Sequence, residues 1–321
     1  MCTAISFKTK DHYFGRTLDL EYHYNESVTV TPRNFPFKFT NRKENKNHYA
    51  IIGIATVIDT YPLYYEATNE AGLSVAGLNF PNNAFYHPTD ESKVNIAPFE
   101  FIPYILTECK TVEDAKKLLE KANIVNIDFR PDLKASPLHW IISDKNKGIT
   151  VESTADGLQV YENPIGVLTN NPPFDLQIKN LEKYKNLSSK EPEHNPDISH
   201  YSKGLGAIGL PGDLSSASRF VRAAFTKENS VCGDSENESI SQFFHILGSV
   251  SHTRGAVDLG GKYEITVYTS CCNTDRGIFY YTTYENPQIS AIDMNKLNLS
   301  SDELFEFPLE TEMKINRIEY E

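Results

Sequence analysis

Short runs of β-branched and aromatic residues, separated by turn residues such as Asp11 and Gly72, constrain the fold of this chain most. Nine runs are predicted as strands, at residues 2–7, 12–20, 50–57, 73–80, 138–143, 149–153, 166–168, 264–269 and 277–284. Helical patterns lie between groups of strands and do not alternate with them one by one. This order predicts an α+β layered sandwich and disfavours a parallel βαβ sheet.

Four segments carry helical signals. Thr111 and Asp114 form a capping-box pattern at the start of a predicted helix over residues 112–122, whose apolar residues share one face. Three further helices are predicted at residues 174–184, 216–226 and 238–250, each beginning near Pro, Ser or Asn. We expect a single domain over residues 1–321, with a polar excursion near residues 187–203.

Composition excludes several functional classes. The net charge is −12, and no stretch clusters the Lys and Arg that nucleic-acid binding requires. The longest apolar run, residues 50–58, is about half the length of a membrane-spanning helix. Five scattered cysteines argue against a disulfide framework, and the first residues lack the features of a secretory signal. These features favour a protein of the reducing cytoplasm.

Motifs for metal, nucleotide and serine-hydrolase chemistry lack a supporting context. The glycine pattern at residues 204–209 follows a polar stretch and precedes a Pro-Gly turn, so we interpret it as a loop. His139 lies in a strand-like run and is predicted to be a packed core residue. The histidines form no metal-binding pair at helical spacing, and we expect neither a metal nor a cofactor.

Cys2 stands out because removal of Met1 would leave a cysteine with both a thiol and a free α-amine. An α-amine has a pKa of about 7.7–8.0 and can act as a base near neutrality. One residue then supplies both nucleophile and base. If residues 2–7 and 12–20 form a hairpin, Arg16 would stabilise the thiolate and Asp19 would hold the amine. The alternative is that Cys2 is incidental and that Arg16 and Asp19 are ordinary surface charges.

Several motifs in order along the whole chain resemble those of the choloylglycine hydrolase family, which contains conjugated bile salt hydrolases and penicillin V acylases. They are Met1-Cys2-Thr3, Gly15-Arg16-Thr17-Leu18-Asp19, Gly77-Leu78-Asn79-Phe80-Pro81, Leu168-Thr169-Asn170-Asn171-Pro172, Leu210-Pro211-Gly212-Asp213, Ser218-Arg219-Phe220 and the segment from Tyr284-Glu285-Asn286 to Asp293-Met294-Asn295. The resemblance implies an N-terminal nucleophile hydrolase with a four-layer αββα sandwich, in which two antiparallel sheets lie between helical layers.

The resemblance also implies roles for single residues. Cys2 matches the nucleophile, Arg16 the arginine beside the thiol and Asp19 the carboxylate that orients the amine. Asn79, through its backbone N–H, and Asn170, through its side-chain amide, match the oxyanion-hole positions. Arg219 matches the second active-site arginine.

The resemblance implies hydrolysis of glycine- or taurine-conjugated bile salts, and Asn79 favours this substrate because many penicillin V acylases carry Tyr there. The side chains on stretches that match the family's pocket loops are Leu18, Tyr24, Tyr64, Tyr65, Phe129 and Leu133. Two alternatives stay open, a penicillin V acylase and a non-catalytic relative that binds steroids or lipids. The family further suggests a homotetramer, for which the excursion at 187–203 is a candidate contact.

Overall fold

A computed structural model describes residues 1–40, 42–193 and 202–319. The strands of these residues are β1 (Cys2–Lys8), β2 (His12–Leu20), β3 (Ser27–Thr31), β4 (Phe37–Phe39), β5 (Arg42–Asn45), β6 (Ile51–Ile58), β7 (Tyr61–Asn69), β8 (Ser74–Asn79), β9 (Val94–Ile96), β10 (Ala122–Ile124), β11 (Leu138–Ser143), β12 (Gly148–Thr154), β13 (Gly157–Glu162), β14 (Val167–Leu168), β15 (Ile265–Asn273), β16 (Ile278–Thr283), β17 (Ser290–Asp293) and β18 (Phe305–Pro308). The α-helices are α1 (Phe101–Glu108), α2 (Val112–Leu119), α3 (Phe174–Leu181), α4 (Ser216–Glu228) and α5 (Glu236–Gly248).

The first sheet has six strands in the order β14-β1-β2-β15-β16-β17. Strands β1 and β2 form the predicted hairpin, in which Cys2 pairs with Leu18. Strand β15 pairs antiparallel with β2 and lies on its other side, so that residues near 266 are brought beside Asp19. Nearly all consecutive residues of β1, β2 and β15 are buried, so both faces of these strands are covered.

The second sheet has eight strands in the order β13-β12-β11-β8-β7-β6-β3-β18, all antiparallel. One core lies between the two sheets and continues to α4 and α5, and includes Ala4, Ile54 and Phe220. A second core lies between the eight-stranded sheet and α1 and α2, and includes Phe101 and Trp140. Helices therefore cover both outer faces, and the αββα sandwich is confirmed.

Several element predictions need correction. Helix α1 was not predicted, and α2 ends at Leu119, before the expected residue 122. The predicted capping box is present, since the Thr111 side chain accepts from the backbone N–H of Asp114. Helix α5 begins at Glu236, and the glycine pattern at 204–209 is a loop with one short 3-10 turn, as expected.

Part of the predicted excursion, residues 194–201, lies outside the described residues. Across the described ranges, none of the helices has the length and apolar character that a membrane-spanning helix needs.

Candidate active site

Cys2 begins β1 at the edge of the inter-sheet core and is only 3% exposed. Its backbone N–H donates to Oδ1 of Asn170 (2.9 Å). The residue opens into a cavity of about 320 Å³ that is also lined by Arg16 and Asn79. A nucleophile is thus placed at the wall of a cavity that opens to solvent, where a bound ligand would meet it.

Arg16 lies on β2 and is 1% exposed. Its guanidinium donates to the backbone carbonyls of Tyr65 (3.2 Å) and Gly77 (2.5 Å), so that it connects the six-stranded sheet to the eight-stranded sheet. Burial by itself lowers the pKa of Arg16, but electrostatic interactions with the acidic groups of Cys2, Tyr268 and Glu66 outweigh burial and raise it above its usual value. Arg16 therefore stays positively charged beside the thiol.

Asp19 is fully buried near the end of β2, where two threonine hydroxyls hold its carboxylate. Thr266 donates to Oδ1 (2.7 Å) and Thr17 donates to Oδ2 (3.0 Å). The α-ammonium of Met1 donates to the backbone carbonyl of Asp19 and to the carboxylate of Glu264. A buried carboxylate with this support keeps a fixed orientation beside the start of the chain.

Glu264 and His252 are site residues that the sequence did not predict. Burial raises the pKa of Glu264, although the Met1 ammonium opposes this shift. Burial lowers the pKa of His252 to about 4, with Asp19 acting against it. The ring nitrogens of His252 lie 3.9 Å from oxygens of Asp19 and Glu264, and the imidazole stands between the two carboxylates.

Asn170 connects the remaining predicted residues. Its side-chain Nδ2 donates to the backbone carbonyl of Asn79 (2.7 Å). Arg219, which is fully buried, donates to the Cys2 carbonyl (2.5 Å) and to Oδ1 of Asn170 (2.8 Å). Burial lowers the pKa of Arg219, with Asp19 acting against it. Arg219 therefore holds the backbone of Cys2 and the Asn170 amide in place, whereas Arg16 lines the cavity.

All six side chains predicted to form the pocket line the cavity next to Cys2. They are Leu18, Tyr24, Tyr64, Tyr65, Phe129 and Leu133. Further lining residues that were not predicted are Met1, Leu20, Thr56, Ile58, Leu63, Pro98, Phe99, Ile102, Lys134, Ala135, Ser136 and Leu138. The wall is mostly apolar and aromatic, and its polar lining residues include Cys2, Arg16 and Asn79. This arrangement suits an amphipathic ligand with a reactive polar bond.

Comparison with known protein families identifies the family to which this chain belongs. The family of linear amide C–N hydrolases, choloylglycine hydrolase family, matches residues 2–307. The chain belongs to this family. It is accordingly an amide C–N hydrolase of the choloylglycine hydrolase type.

Full-length relatives agree with this assignment. The chain is 50% identical to a bile salt hydrolase/transferase of Lactiplantibacillus plantarum over 317 residues, which cover 97% of this chain and 98% of the relative. It is 41% identical to a bile salt hydrolase/transferase of Clostridium perfringens, over 99% of this chain and 100% of the relative.

Solved structures of relatives have the same fold. The crystal structure of the C2A mutant of conjugated bile acid hydrolase from Clostridium perfringens superposes with a TM-score of 0.92 at 40% identity, covering 99% of this chain and 100% of that chain. A penicillin V acylase from Agrobacterium tumefaciens has a TM-score of 0.76 at 21% identity, covering 95% of this chain and 90% of that chain. The latter likeness concerns the fold alone.

Proposed function

We propose that this chain, after removal of Met1, hydrolyses the amide bond of glycine- or taurine-conjugated bile salts to free bile acid and amino acid. The observation that carries the proposal is the position of Cys2, beside Arg16, in the wall of a cavity that is lined mostly by apolar and aromatic side chains. A steroid body fits apolar walls, and its conjugated amide would then lie beside Cys2 and Asn79. Family membership and two full-length bile salt hydrolase relatives support this choice of substrate.

In the first step the free α-amine of Cys2 takes the thiol proton, and the thiolate attacks the amide carbon. The positive charge of Arg16 favours the thiolate, because it is buried and close to Cys2. Asp19, held by Thr17 and Thr266, keeps the ammonium in place. One residue thus provides nucleophile and base, as an N-terminal cysteine can.

Attack places negative charge on the former carbonyl oxygen. The backbone N–H of Asn79 and the side-chain N–H of Asn170 would stabilise this oxyanion, and each donor contributes about 3 kcal/mol. Arg219 supports the geometry because it donates to Oδ1 of Asn170 and leaves Nδ2 directed toward the Asn79 segment. The C–N bond then breaks as the ammonium gives its proton to the leaving nitrogen, which departs as glycine or taurine.

The amine that remains on Cys2 next takes a proton from water, and the resulting hydroxide attacks the thioester carbon. The C–S bond breaks, and the thiolate recovers the proton as the bile acid leaves. The pocket side chains predicted from the resemblance hold the steroid during both steps. They are Leu18, Tyr24, Tyr64, Tyr65, Phe129 and Leu133.

The test is to incubate the protein with glycocholate and taurocholate and to quantify free glycine and taurine. Wild type should release amino acid and the Cys2→Ala variant should not, because the variant keeps the cavity and lacks the nucleophile. Penicillin V, assayed in parallel, should be cleaved with a lower kcat/KM. Bile salt binding by wild type without release of amino acid would show a non-catalytic steroid-binding protein and overturn the proposal.

We also propose that the chain forms one domain over residues 1–321 and acts as a cytoplasmic homotetramer. All five cysteines are free thiols in the described structure, which suits a reducing compartment. The family resemblance supports the tetramer, with the excursion at 187–203 as a contact. Sedimentation velocity of the full chain and of a deletion of this excursion tests the assembly, since the deletion should lower the sedimentation coefficient beyond the loss of mass.

A further inference from the structure

A buried histidine connects the two segments that carry the proposed oxyanion-hole residues. His139 lies in β11, is fully buried and places Nε2 2.9 Å from the backbone carbonyl of Thr169, the residue before Asn170. Its ring stacks on Phe80, the residue after Asn79, with centroids 4.2 Å apart and an interplanar angle of 6°. The His139 side chain therefore contacts both the residue before Asn170 and the residue after Asn79.

The partners of His139 determine where its protons lie. The Thr169 carbonyl can only accept, so Nε2 carries a hydrogen and donates it. Nδ1 lies 2.9 Å from Oε1 of Glu152, a fully buried residue that also accepts from the backbone N–H of Phe174 (3.0 Å). Glu152 therefore fixes both the tilt of the imidazole and the nitrogen that faces Thr169, as carboxylates do for other functional histidines.

We propose that His139 is a positioning residue for the oxyanion hole, and that Glu152 fixes the orientation of its imidazole. The hydrogen bond to Thr169 fixes the backbone from which Asn170 projects, while the stack on Phe80 fixes the end of the strand that carries Asn79. The two N–H donors then converge on one point. The inference rests on the proposed function, in which this point is the oxyanion of the tetrahedral intermediate.

Preorganised donors lose much of their effect when they are displaced, because they act on charge that exists only in the transition state. A loss of the His139 hydrogen bond should consequently reduce kcat and leave ground-state binding of the substrate almost unchanged. The sequence predicts His139 to be a packed core residue, and a purely packing role would couple activity to stability instead.

The first variant is His139→Phe, which keeps a ring to stack on Phe80 and removes the donor to Thr169. We expect kcat to fall about 10-fold to 100-fold, the range that displacement of reacting groups by about 1 Å produces. KM should stay within about twofold of wild type, as should the affinity for glycocholate measured by calorimetry in the Cys2→Ala background. The matched control is His48→Phe, since His48 is also buried, contacts the Phe37 ring and places both nitrogens on backbone carbonyls. We expect its kcat to be unchanged.

A second pair of variants changes Glu152, the hydrogen-bond partner of Nδ1, and keeps the imidazole of His139. Glu152→Gln retains a hydrogen-bonding group opposite Nδ1, and a neutral imidazole with its hydrogen on Nε2 can still donate to Thr169. Glu152→Met has a similar length and removes that group. We expect Glu152→Gln to keep kcat within about threefold of wild type and Glu152→Met to resemble His139→Phe, with thermal unfolding measured for all variants.

The outcomes separate the two proposals. Wild type that releases neither glycine nor taurine overturns the proposed function. Active wild type with an unimpaired His139→Phe overturns the positioning role alone. The role is also overturned if Glu152→Gln and Glu152→Met lose kcat equally, or if kcat and glycocholate affinity fall together in proportion to the loss of melting temperature.

Discussion

Glu66 lies beneath the proposed active site and gives the molecule a specific dependence of stability on pH. It is 1% exposed, accepts a hydrogen bond from the Tyr268 hydroxyl (2.7 Å) and lies 3.8 Å from Nε of Arg16. Burial raises the pKa of Glu66 from its ordinary value of 4.5 to about 7, although Arg16 acts to lower it. The folded protein therefore retains a proton on Glu66 at pH values where the unfolded chain has lost it.

Because the pKa of Glu66 is raised on folding, its contribution to stability is fully present below about pH 4.5 and is lost as the pH rises through about 7. One pKa unit corresponds to about 1.4 kcal/mol, so the interval from 4.5 to about 7 amounts to about 3 kcal/mol of unfolding free energy. About 2 kcal/mol of this loss falls between about pH 5.5 and pH 8.5. Glu66→Gln abolishes the titration, so its stability relative to wild type should rise by about 2 kcal/mol across that range.

The assay is urea unfolding of wild type and Glu66→Gln at the two pH values, followed by circular dichroism. Glu70→Gln is the matched control, because Glu70 is partly buried and, like Glu66, lies beside an arginine, Arg33 (2.9 Å). Burial raises the pKa of Glu70, but the hydrogen bonds from Arg33 and Ala50 outweigh it and the net shift is downward. Glu70→Gln should therefore show the same stability difference from wild type at both pH values. A Glu66→Gln difference that stays constant or changes in the opposite direction would refute the reasoning.

Three further substitutions test other parts of the site. Asn170→Ala should lower kcat about 100-fold to 1000-fold, as the loss of one oxyanion donor does, in a steady-state assay of amino-acid release. Thr266→Val removes a hydrogen bond to Asp19, and kcat should fall about tenfold with little change in KM. A rise in KM as large as the fall in kcat would contradict a role of Thr266 in orienting the amine. Gly15→Ala would place a Cβ 2.0 Å from the backbone oxygen of Ser270, so the variant should lose about 3 kcal/mol of stability, and an unchanged urea midpoint would show that the strand contact is mistaken.

The parts of the fold that the sequence predicts correctly have local signals. The β1–β2 hairpin follows from two β-rich runs separated by a turn, and α2 follows from its capping box and amphipathic face. Helix α1 lacks such a signal because Phe101 to Thr107 are all buried, so no polar face reveals a helical period, and Pro103 lies within it. A helix that is buried on every side cannot be recognised from alternation alone.

The site residues likewise divide into those that have a local signal in the sequence and those that have none. Cys2, Arg16 and Asp19 lie on one hairpin, so reasoning from the residues finds them together. Asn170 was predicted only from the family resemblance, because a run of Asn and Pro is ordinary in turns. Glu264 and His252 were missed, since they lie 245 and 233 residues after Asp19 in the sequence and come close to it through the pairing of β15 with β2. Proximity of this kind depends on sheet topology and leaves no local pattern in the sequence.

The free amine of Cys2 is the central element of the proposed mechanism, and intact mass spectrometry of the active protein tests it most directly. In the structure Met1 is present, and the Cys2 nitrogen is an amide that donates to Asn170. Protein that releases glycine or taurine should have the mass of the chain without Met1, and rapid quenching with a conjugated bile salt should add one bile acyl group to the peptide that begins with Cys2. Full activity in protein that retains Met1 would contradict the mechanism.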